Sequence, residues 1–448
     1  MKILVIGSGG REHALTWKLR ESASMEEIYC APGNAGIAQD AECLPVDLTS
    51  PAAILEVANS IKADLTVVGP EAPLTAGVVD EFSRAGRQII GPTMAAARLE
   101  GSKVFAKQFM MRHSIPAARF VAAETFEQAV KALQDFAYPL VIKADGLAAG
   151  KGVVIVRERG QAEHVLDEFM RRKTLGESGA TVLIEECLTG DELSLIILTD
   201  GRCVFELPPA QDHKRLLDDD QGPNTGGMGA FSDDSILSGK QRSEILSTIV
   251  RPTLAGISAE GAPFRGFLYF GLMLTATGPK LLEYNVRLGD PEAQAILMRM
   301  RSDLADILSA TLNGALGSLG AHWSPNPSVC VVAASRGYPG TPEVGQVVTG
   351  HDAAESIGGV KVFHAGTKVT DHQLLTASGR VLSVCAVGED LPVAIERAYS
   401  AMEKIHFDGM QFRRDIGAKG LMKPPAIRRL ADPPLRTSRA APAAPKLP

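Results

Sequence analysis

The chain has 448 residues, room for about three domains, and its 45% hydrophobic and 22% charged content is ordinary for a globular protein in water. A net charge of −6 disfavours nucleic acid as the main partner, and no apolar run approaches the ~18 residues of a membrane span. The six cysteines, at 30, 43, 187, 203, 330 and 385, include no C-x-x-C pair, which suits buried thiols in a reducing, cytoplasmic setting better than disulfides or zinc.

Residues 1–100 alternate strand and helix: strands at 2–6, 28–30, 65–68 and 88–90, helices at 12–20 and 77–85. That alternation predicts a parallel sheet with covering helices. The opening MKILVIGSGGREH reads as a first strand and not a signal peptide, because no small-residue cleavage site follows an apolar core. The first turn is GSGGREHA, residues 7–14. A dinucleotide fingerprint needs glycine where Glu12 stands and an acid after the second strand, where Ala31-Pro32-Gly33-Asn34 supplies none. A glycine turn before a helix suits a phosphate monoester, with Arg11 adding charge, or is a plain tight turn.

From 101 the texture changes. Helices are expected at 101–114, carrying Ser102-Lys103, and at 126–136. Next comes YPLVIKADGLAAGKGVVIVR, residues 138–157, where β-branched runs at 140–143 and 153–156 flank a loop with Gly146, Gly150 and Gly152. Lys143 and Lys151 stand at its edge and inside it. Small residues let backbone N–H groups approach an anion, so this strand–loop–strand unit suits the phosphates of a nucleotide. It is not a Walker A loop: it is one residue short, Gly152 replaces the Ser/Thr, and no helix follows. Taken alone it is equally a tight hairpin with surface lysines.

Strands follow at 181–188 and 192–199, separated by Thr189-Gly190-Asp191. The strand end Glu185-Glu186-Cys187-Leu188 can offer backbone groups and a carboxylate to an adenine edge, and Glu192 can reach ribose hydroxyls. A solvated acidic turn is the plainer alternative. Gln211-Asp212-His213-Lys214-Arg215 gathers acid, base and cations before a second glycine loop, GPNTGGMG at 222–229. It reads equally as a charged surface turn, and a single histidine with no visible partner is weak ground for a base. A hairpin is expected at 267–274 and 280–285. Its alternation puts Glu283 and Asn285 on one face, two hard oxygen donors of the kind Mg²⁺ accepts beside phosphates, or an ordinary exposed polar face. Arg287 follows, able to grip a carboxylate with two parallel hydrogen bonds. A helix at 303–312 closes the region, and 323–327, with two prolines, reads as a linker. Residues 328–422 form a smaller strand-rich unit with a helix at 393–405, and 423–448 read as a disordered basic tail.

Lys103, KADGLAAGKGV, EECLTGDE, QDHKR, GPNTGGMGA and EYNVRLGDPE occur in this order over about two hundred residues. Together they resemble the ATP-grasp superfamily. More closely, the chain resembles the phosphoribosylamine–glycine ligase family, through VIGSGGREHA, APGNAG (31–36), VVGPEAPL (67–74), LEGSK (99–103), RGYPG (336–340), KVFHAGT (361–367), GRVL (379–382) and RRDIG (413–417). The resemblance implies an α/β protein: an N-terminal parallel-sheet domain (1–100), an ATP-grasp α+β core (101–325) with a mobile lid at about 120–190, a C-terminal strand-rich domain (326–422) and the tail.

The resemblance also implies residue roles. Glu185, Glu186, Leu188 and Glu192 would hold adenosine. Lys103, Lys143, Gly146, Gly150, Lys151 and Gly152 would hold the phosphates. Glu283 and Asn285 would ligate Mg²⁺ or Mn²⁺. Asp212 and Arg287, with His213 and Lys214 beside them, would line the amino-acid pocket; Gly9, Gly10, Arg11, Asn34 and Glu71 would face 5-phosphoribosylamine. Lys143, Arg287 and Asp212 are the expected catalytic residues. Both glycine loops would close over the site. Leu288 stands where the family often has Phe, and Tyr269–Leu272 carries no further acid, which favours one metal ion over two. The implied activity is ATP-dependent ligation of glycine to 5-phosphoribosylamine by a cytoplasmic monomer or weak dimer. The alternatives are another ATP-grasp ligase or carboxylase, and an ATP-sensing module without turnover.

Overall fold

Short runs of Val, Ile and Leu set the first layer. In the computed structural model, which describes residues 1–147 and 152–422, strands β1 (Lys2–Gly7), β2 (Glu27–Pro32), β3 (Glu42–Cys43), β4 (Leu65–Val68) and β5 (Ile89–Ile90) form a parallel sheet in the order β3-β2-β1-β4-β5. Ile3 to Ile6 of β1 are fully buried, as a central parallel strand covered on both faces requires. The chain leaves β1 to pair β2 on one side and β4 on the other. At such a reversal of strand order a crevice opens beyond the carboxyl ends. Those ends carry Ser8-Gly9, Gly33-Asn34 and Pro70-Glu71, all on the wall of the main cleft. Helix α1 (Gly10–Arg20) begins just past β1.

The helix expected at 101–114 is divided. One helix covers Met94–Gly101, and α2 covers Lys103–Arg112. Ser102 is extended between them (φ −139°, ψ 115°), and its hydroxyl accepts from Phe105 N (3.0 Å), an N-cap that restarts the helix. The helix expected at 126–136 is α-helical only over Phe126–Ala132 and tightens to 3₁₀ over Leu133–Asp135.

Strands β6 (Phe120–Ala123), β7 (Leu140–Ala144), β8 (Val153–Val156) and β9 (Val182–Glu186) form an antiparallel sheet in the order β6-β9-β7-β8. Leu140, Ile142, Val182 and Ile184 pack on Leu133, Val165 and Leu166 in a hydrophobic cluster of their own. The glycine loop therefore leaves and re-enters a small, separately cored unit.

The remaining strands are β10 (Asp191–Thr199), β11 (Val204–Glu206), β12 (Ala210–Asp212), β13 (Arg215–Leu217), β14 (Gln221–Asn224), β15 (Gly229–Ser232), β16 (Gly266–Thr275), β17 (Gly278–Asn285), β18 (Ser328–Ala334), β19 (Val360–His364), β20 (Thr367–Thr370), β21 (Gln373–Thr376) and β22 (Arg380–Val387). One sheet runs β17-β16-β10-β12-β15-β18-β22-β19, with β11 beside β10. The strand-rich segment from 328 thus joins the central sheet, through β18 on β15. β13–β14 and β20–β21 are separate hairpins.

Residues 323–327 are not a free linker. Trp323 bridges Met300 and packs against Phe205, and Ser324 N donates to Arg299 O (2.7 Å). Arg299, just past helix α3 (Glu292–Met298), is fully buried. It donates to Ser232 Oγ (2.8 Å), Asp234 Oδ1 (2.8 Å) and Ser324 O (3.1 Å), so three segments meet on one side chain. Arg299→Met leaves these acceptors without their donor. At ~1 kcal/mol per bond the unfolding free energy falls by about 3 kcal/mol. Denaturant unfolding of the variant checks this; a loss below ~1 kcal/mol would show that the junction does not rest on Arg299.

Candidate active site

A cleft of about 940 Å³ runs from the N-terminal sheet's crevice, past β17, to the small antiparallel sheet. Its size is that of a site for small organic substrates.

One end is built from α2, β7, β9 and β17. Lys103 and Lys107 lie four residues apart on one face of α2. Asp145, opening the glycine loop, accepts from Ser102 Oγ (2.9 Å) and Val104 N (2.8 Å), and Lys103 Nζ donates to Gly146 O (2.9 Å). The loop's start is thereby pinned to the helix that carries both lysines. Glu185 is 2% exposed, with Lys143 Nζ at 3.0 Å and Lys107 Nζ at 3.1 Å from its Oε2. Its other oxygen, Oε1, is buried without a hydrogen-bond partner among the described residues, and the residue lines the cleft. Burial lowers the Lys107 pKa to about 8 against the pull of Glu185. Burial likewise lowers Lys103, against Glu283.

Glu283 and Asn285 both line the cleft, as the alternation along β17 requires. Burial alone would raise the Glu283 pKa, but Lys214, Lys143 and Lys103 hold it down to about 2. A carboxylate kept ionised beside a carboxamide is a fitting donor pair for a hard divalent cation. Among the described residues no group of three or more His, Cys, Asp or Glu is placed to hold a metal. An ion here would draw its remaining oxygens from phosphates and water.

In the middle of the cleft Arg287 lies between two acids. Its Nε is 3.1 Å from Glu71, Nη2 is 2.9 Å from Glu100, and Nη1 donates to Leu288 O (3.2 Å). A guanidinium has five N–H donors, so two remain for a carboxylate. Burial raises Glu100 to about 7 even with Arg287 beside it. Burial would also raise Glu71, but Arg287 and Arg11 pull it below the usual range. Burial raises Asp212 to about 8; Lys214 opposes, while Glu292, Glu192 and Glu283 reinforce. Lys214 pairs with Glu192 and lies 3.5 Å from Glu283.

The far end faces the GSGG turn. That turn is not an open anion site: Glu12 curls back, accepting from Gly9 N (2.5 Å) and from Arg11 Nε (2.6 Å). The helix terminus is satisfied by its own acid, as in a capping box. Arg11 also donates to Leu288 O (2.9 Å). Asn34 spends its side chain on structure, donating to Ser8 O and His364 O and accepting from Gly36 N and Ile37 N. Opposite lie 365–367 and 377–380, small residues ending in Arg380, together with Tyr338.

Several expected residues fall elsewhere. His213 turns away from Asp212 and Lys214, packs toward Phe231 and has no hydrogen-bond partner on either ring nitrogen among the described residues. Burial lowers it to about 3, which removes it as a base at neutral pH. Glu186 accepts from Lys280 and Arg119 N, Glu192 pairs with Lys214, and Gly10 backs onto Gln294. These three and Leu188 are not among the residues that line the cleft. Gly146 contributes its carbonyl to Lys103, and Gly152 lines the cleft. Gly150 and Lys151 lie outside the described residues. The second glycine loop is no free flap, since β14 and β15 carry its two ends. Sequence reasoning missed Lys107, Glu100, Glu292, Tyr338 and Arg380. The four-residue spacing from Lys103 was an available signal for Lys107.

Family models of phosphoribosylglycinamide synthetase match the N domain at residues 1–100, the ATP-grasp (A) domain at 101–293 and the C domain at 328–419. The chain is 47% identical over 423 residues to phosphoribosylamine–glycine ligase of Neisseria meningitidis serogroup A, covering 94% of this chain and 100% of that one. It is 46% identical over 418 residues to the same-named protein of Caldanaerobacter subterraneus, covering 93% and 100%. The crystal structure of phosphoribosylamine–glycine ligase from Thermotoga maritima superposes with a TM-score of 0.80 at 36% identity, covering 93% of this chain and 100% of that one. Biotin carboxylase of Campylobacter jejuni shares the fold at 18% identity, with a TM-score of 0.69 and coverage of 94% and 95%. The chain belongs to the phosphoribosylamine–glycine ligase family of ATP-grasp enzymes.

Proposed function

We propose that this chain joins glycine to 5-phosphoribosylamine, using ATP, and releases ADP, phosphate and glycinamide ribonucleotide. The observation that carries this reading is one cleft with lysines and an ionised Glu283 at one end and Arg287 midway, in a chain aligned with the family over nearly its whole length. The residue roles that follow are part of the proposal.

A carboxylate is a poor electrophile, because attack on it must expel oxide. A glycine carboxylate oxygen attacks the γ-phosphorus of ATP, ADP leaves, and glycyl phosphate forms. The amine of phosphoribosylamine then attacks the carbonyl carbon, phosphate leaves, and one proton is lost. The protein's task is alignment and charge neutralisation. Lys103, Lys107 and Lys143 face the phosphates, and Glu185 Oε1 accepts from the adenine amino group. Glu283 and Asn285 would hold a divalent cation, Mg²⁺ or Mn²⁺, which when bound neutralises phosphate charge. Arg287 presents its two remaining N–H donors to the glycine carboxylate. Asp212, raised by burial to about 8, is largely protonated at neutral pH and lines the cleft as a hydrogen-bond donor to substrate, so the proton of the second step passes to the departing phosphate. The loops at 365–367 and 377–380 face the GSGG turn and form the ribosylamine end. The small β6–β9 unit closes over the nucleotide and excludes water.

The direct test is ADP release with Mg-ATP and glycine, with and without phosphoribosylamine formed in place from ribose 5-phosphate and ammonia. Release that needs both substrates supports the reading; release indifferent to glycine sinks it. Lys143→Ala and Glu283→Ala each lower kcat at least ~10²-fold with folding intact, since each removes a group that stabilises transferring charge. Wild-type turnover in either would remove the phosphate-end assignment.

A pH profile isolates Glu100. Below about pH 7 it is largely protonated and leaves Arg287 to the substrate; above that it ionises and competes. The KM for glycine therefore rises as pH passes through about 7, and Glu100→Gln flattens that rise. A variant that keeps the wild-type profile would assign the titration to another group.

A further inference from the structure

Gly226 is gripped on both sides of its backbone by the C-terminal segment. Its N–H donates to Tyr338 Oη (2.8 Å), and its carbonyl accepts from Arg380 Nη1 (2.9 Å). Arg380 also donates to Asp290 O (2.8 Å) and pairs with the Asp290 carboxylate (3.2 Å). The grip leaves little slack. A Cβ at Gly226 would stand 3.2 Å from Tyr338 Oη, and one at Gly227, whose φ is +110°, would stand 2.5 Å from Pro291 Cδ.

The clamped peptide continues into the phosphate end. Thr225 donates to Lys214 O twice, from its N–H (2.8 Å) and its hydroxyl (2.9 Å), and Gly227 N donates back to Thr225 Oγ1 (3.0 Å). Lys214 in turn faces Glu283. Asn224 Nδ2 donates to Val153 O (3.2 Å), which ties the same loop to β8 of the small sheet.

We infer that Tyr338 and Arg380 are positioning residues for the phosphoryl-transfer end: by fixing the Gly226 peptide they fix Thr225, and through it Lys214 and Glu283. Neither need touch ATP. The inference rests on the proposed role of Glu283. It assigns a task to RGYPG and GRVL, two motifs for which the residue pattern alone suggests no chemistry. The rival role is direct contact with ribosylamine, because both side chains also line the far end of the cleft.

The two roles separate kinetically. Tyr338→Phe removes one hydroxyl, and Thr225→Val swaps a hydroxyl for a methyl; thermal melting of each variant checks that the fold is kept before the kinetics are read. Each is expected to lower kcat about tenfold, the equivalent of one well-aligned hydrogen bond, while KM for ribosylamine stays within about twofold. The Mg²⁺ concentration giving half-maximal rate rises in both, a readout that a general loss of stability does not move. Arg380→Lys, which keeps charge but loses the fork, behaves likewise. The double variant Tyr338→Phe/Thr225→Val is no slower than the worse single variant, because the two act in series. Multiplicative losses, wild-type kcat in Tyr338→Phe, or a change confined to the ribosylamine KM would overturn the inference. Glycine-dependent ADP release by the wild-type protein tests the underlying function separately, so failure of one is not mistaken for failure of the other.

Discussion

Charge buried in this cleft has to be paired, and the pairing fixes the geometry of everything around it. Taking a carboxylate or an ammonium out of water costs several kcal/mol per ion, repaid only when an opposite charge sits close. Glu185 meets that condition with Lys143 and Lys107, Glu283 with Lys214 and two further lysines, and Arg287 with Glu71 and Glu100. Each cation is thereby aimed before any substrate arrives. Donors already oriented cost no reorganisation when charge develops on a transferring phosphoryl group. The acids are the counter-ions that hold these cations in place.

The sheets place this network. The N-terminal sheet opens a crevice at the strand-order reversal beside β1, and β17 ends the long sheet against it. Because β18 adds directly to β15, the segment that carries Tyr338 and Arg380 is continuous with the strands that carry Asp212. The β6–β9 unit, by contrast, has its own hydrophobic cluster. The wall made by the long sheet is held by strand pairing, while the β6–β9 unit is tied to its surroundings largely through side chains, among them Asn224 to Val153 and Asp145 to α2.

Much of this was legible in the chain itself, for reasons that can be named. Alternation along 281–285 placed Glu283 and Asn285 together, and the branched runs around the glycine loop gave β7 and β8. The same period-2 rule, applied to Asp212-His213-Lys214, puts His213 on the face opposite its neighbours, and it is absent from the cleft lining. Glu12 was noted for spoiling a glycine pattern, but its larger effect is to cap α1 and fill the turn expected to hold phosphate. Lys107 carries little signal in the chain, because a helical lysine is ordinarily solvated, and only burial against Glu185 distinguishes it. The loops at 365–367 and 377–380 carry mostly small residues with no chemical signature. Their relevance comes from chain topology that brings them opposite Gly9, over 350 residues away.

An acyl phosphate intermediate makes that topology consequential. Glycyl phosphate is hydrolysed if it waits, so the end that makes it and the end that delivers the amine must keep a fixed relation. Separate modules joined by a linker would let that distance fluctuate. Here residues 323–327 are tied down by Arg299, and the sheet runs unbroken from β17 to β19. Arg380 then touches both Asp290, three residues from Arg287, and Gly226, next to Thr225. A single guanidinium thus ties Asp290 to the Gly226 peptide, and the shared sheet behind it holds the two in a fixed relation.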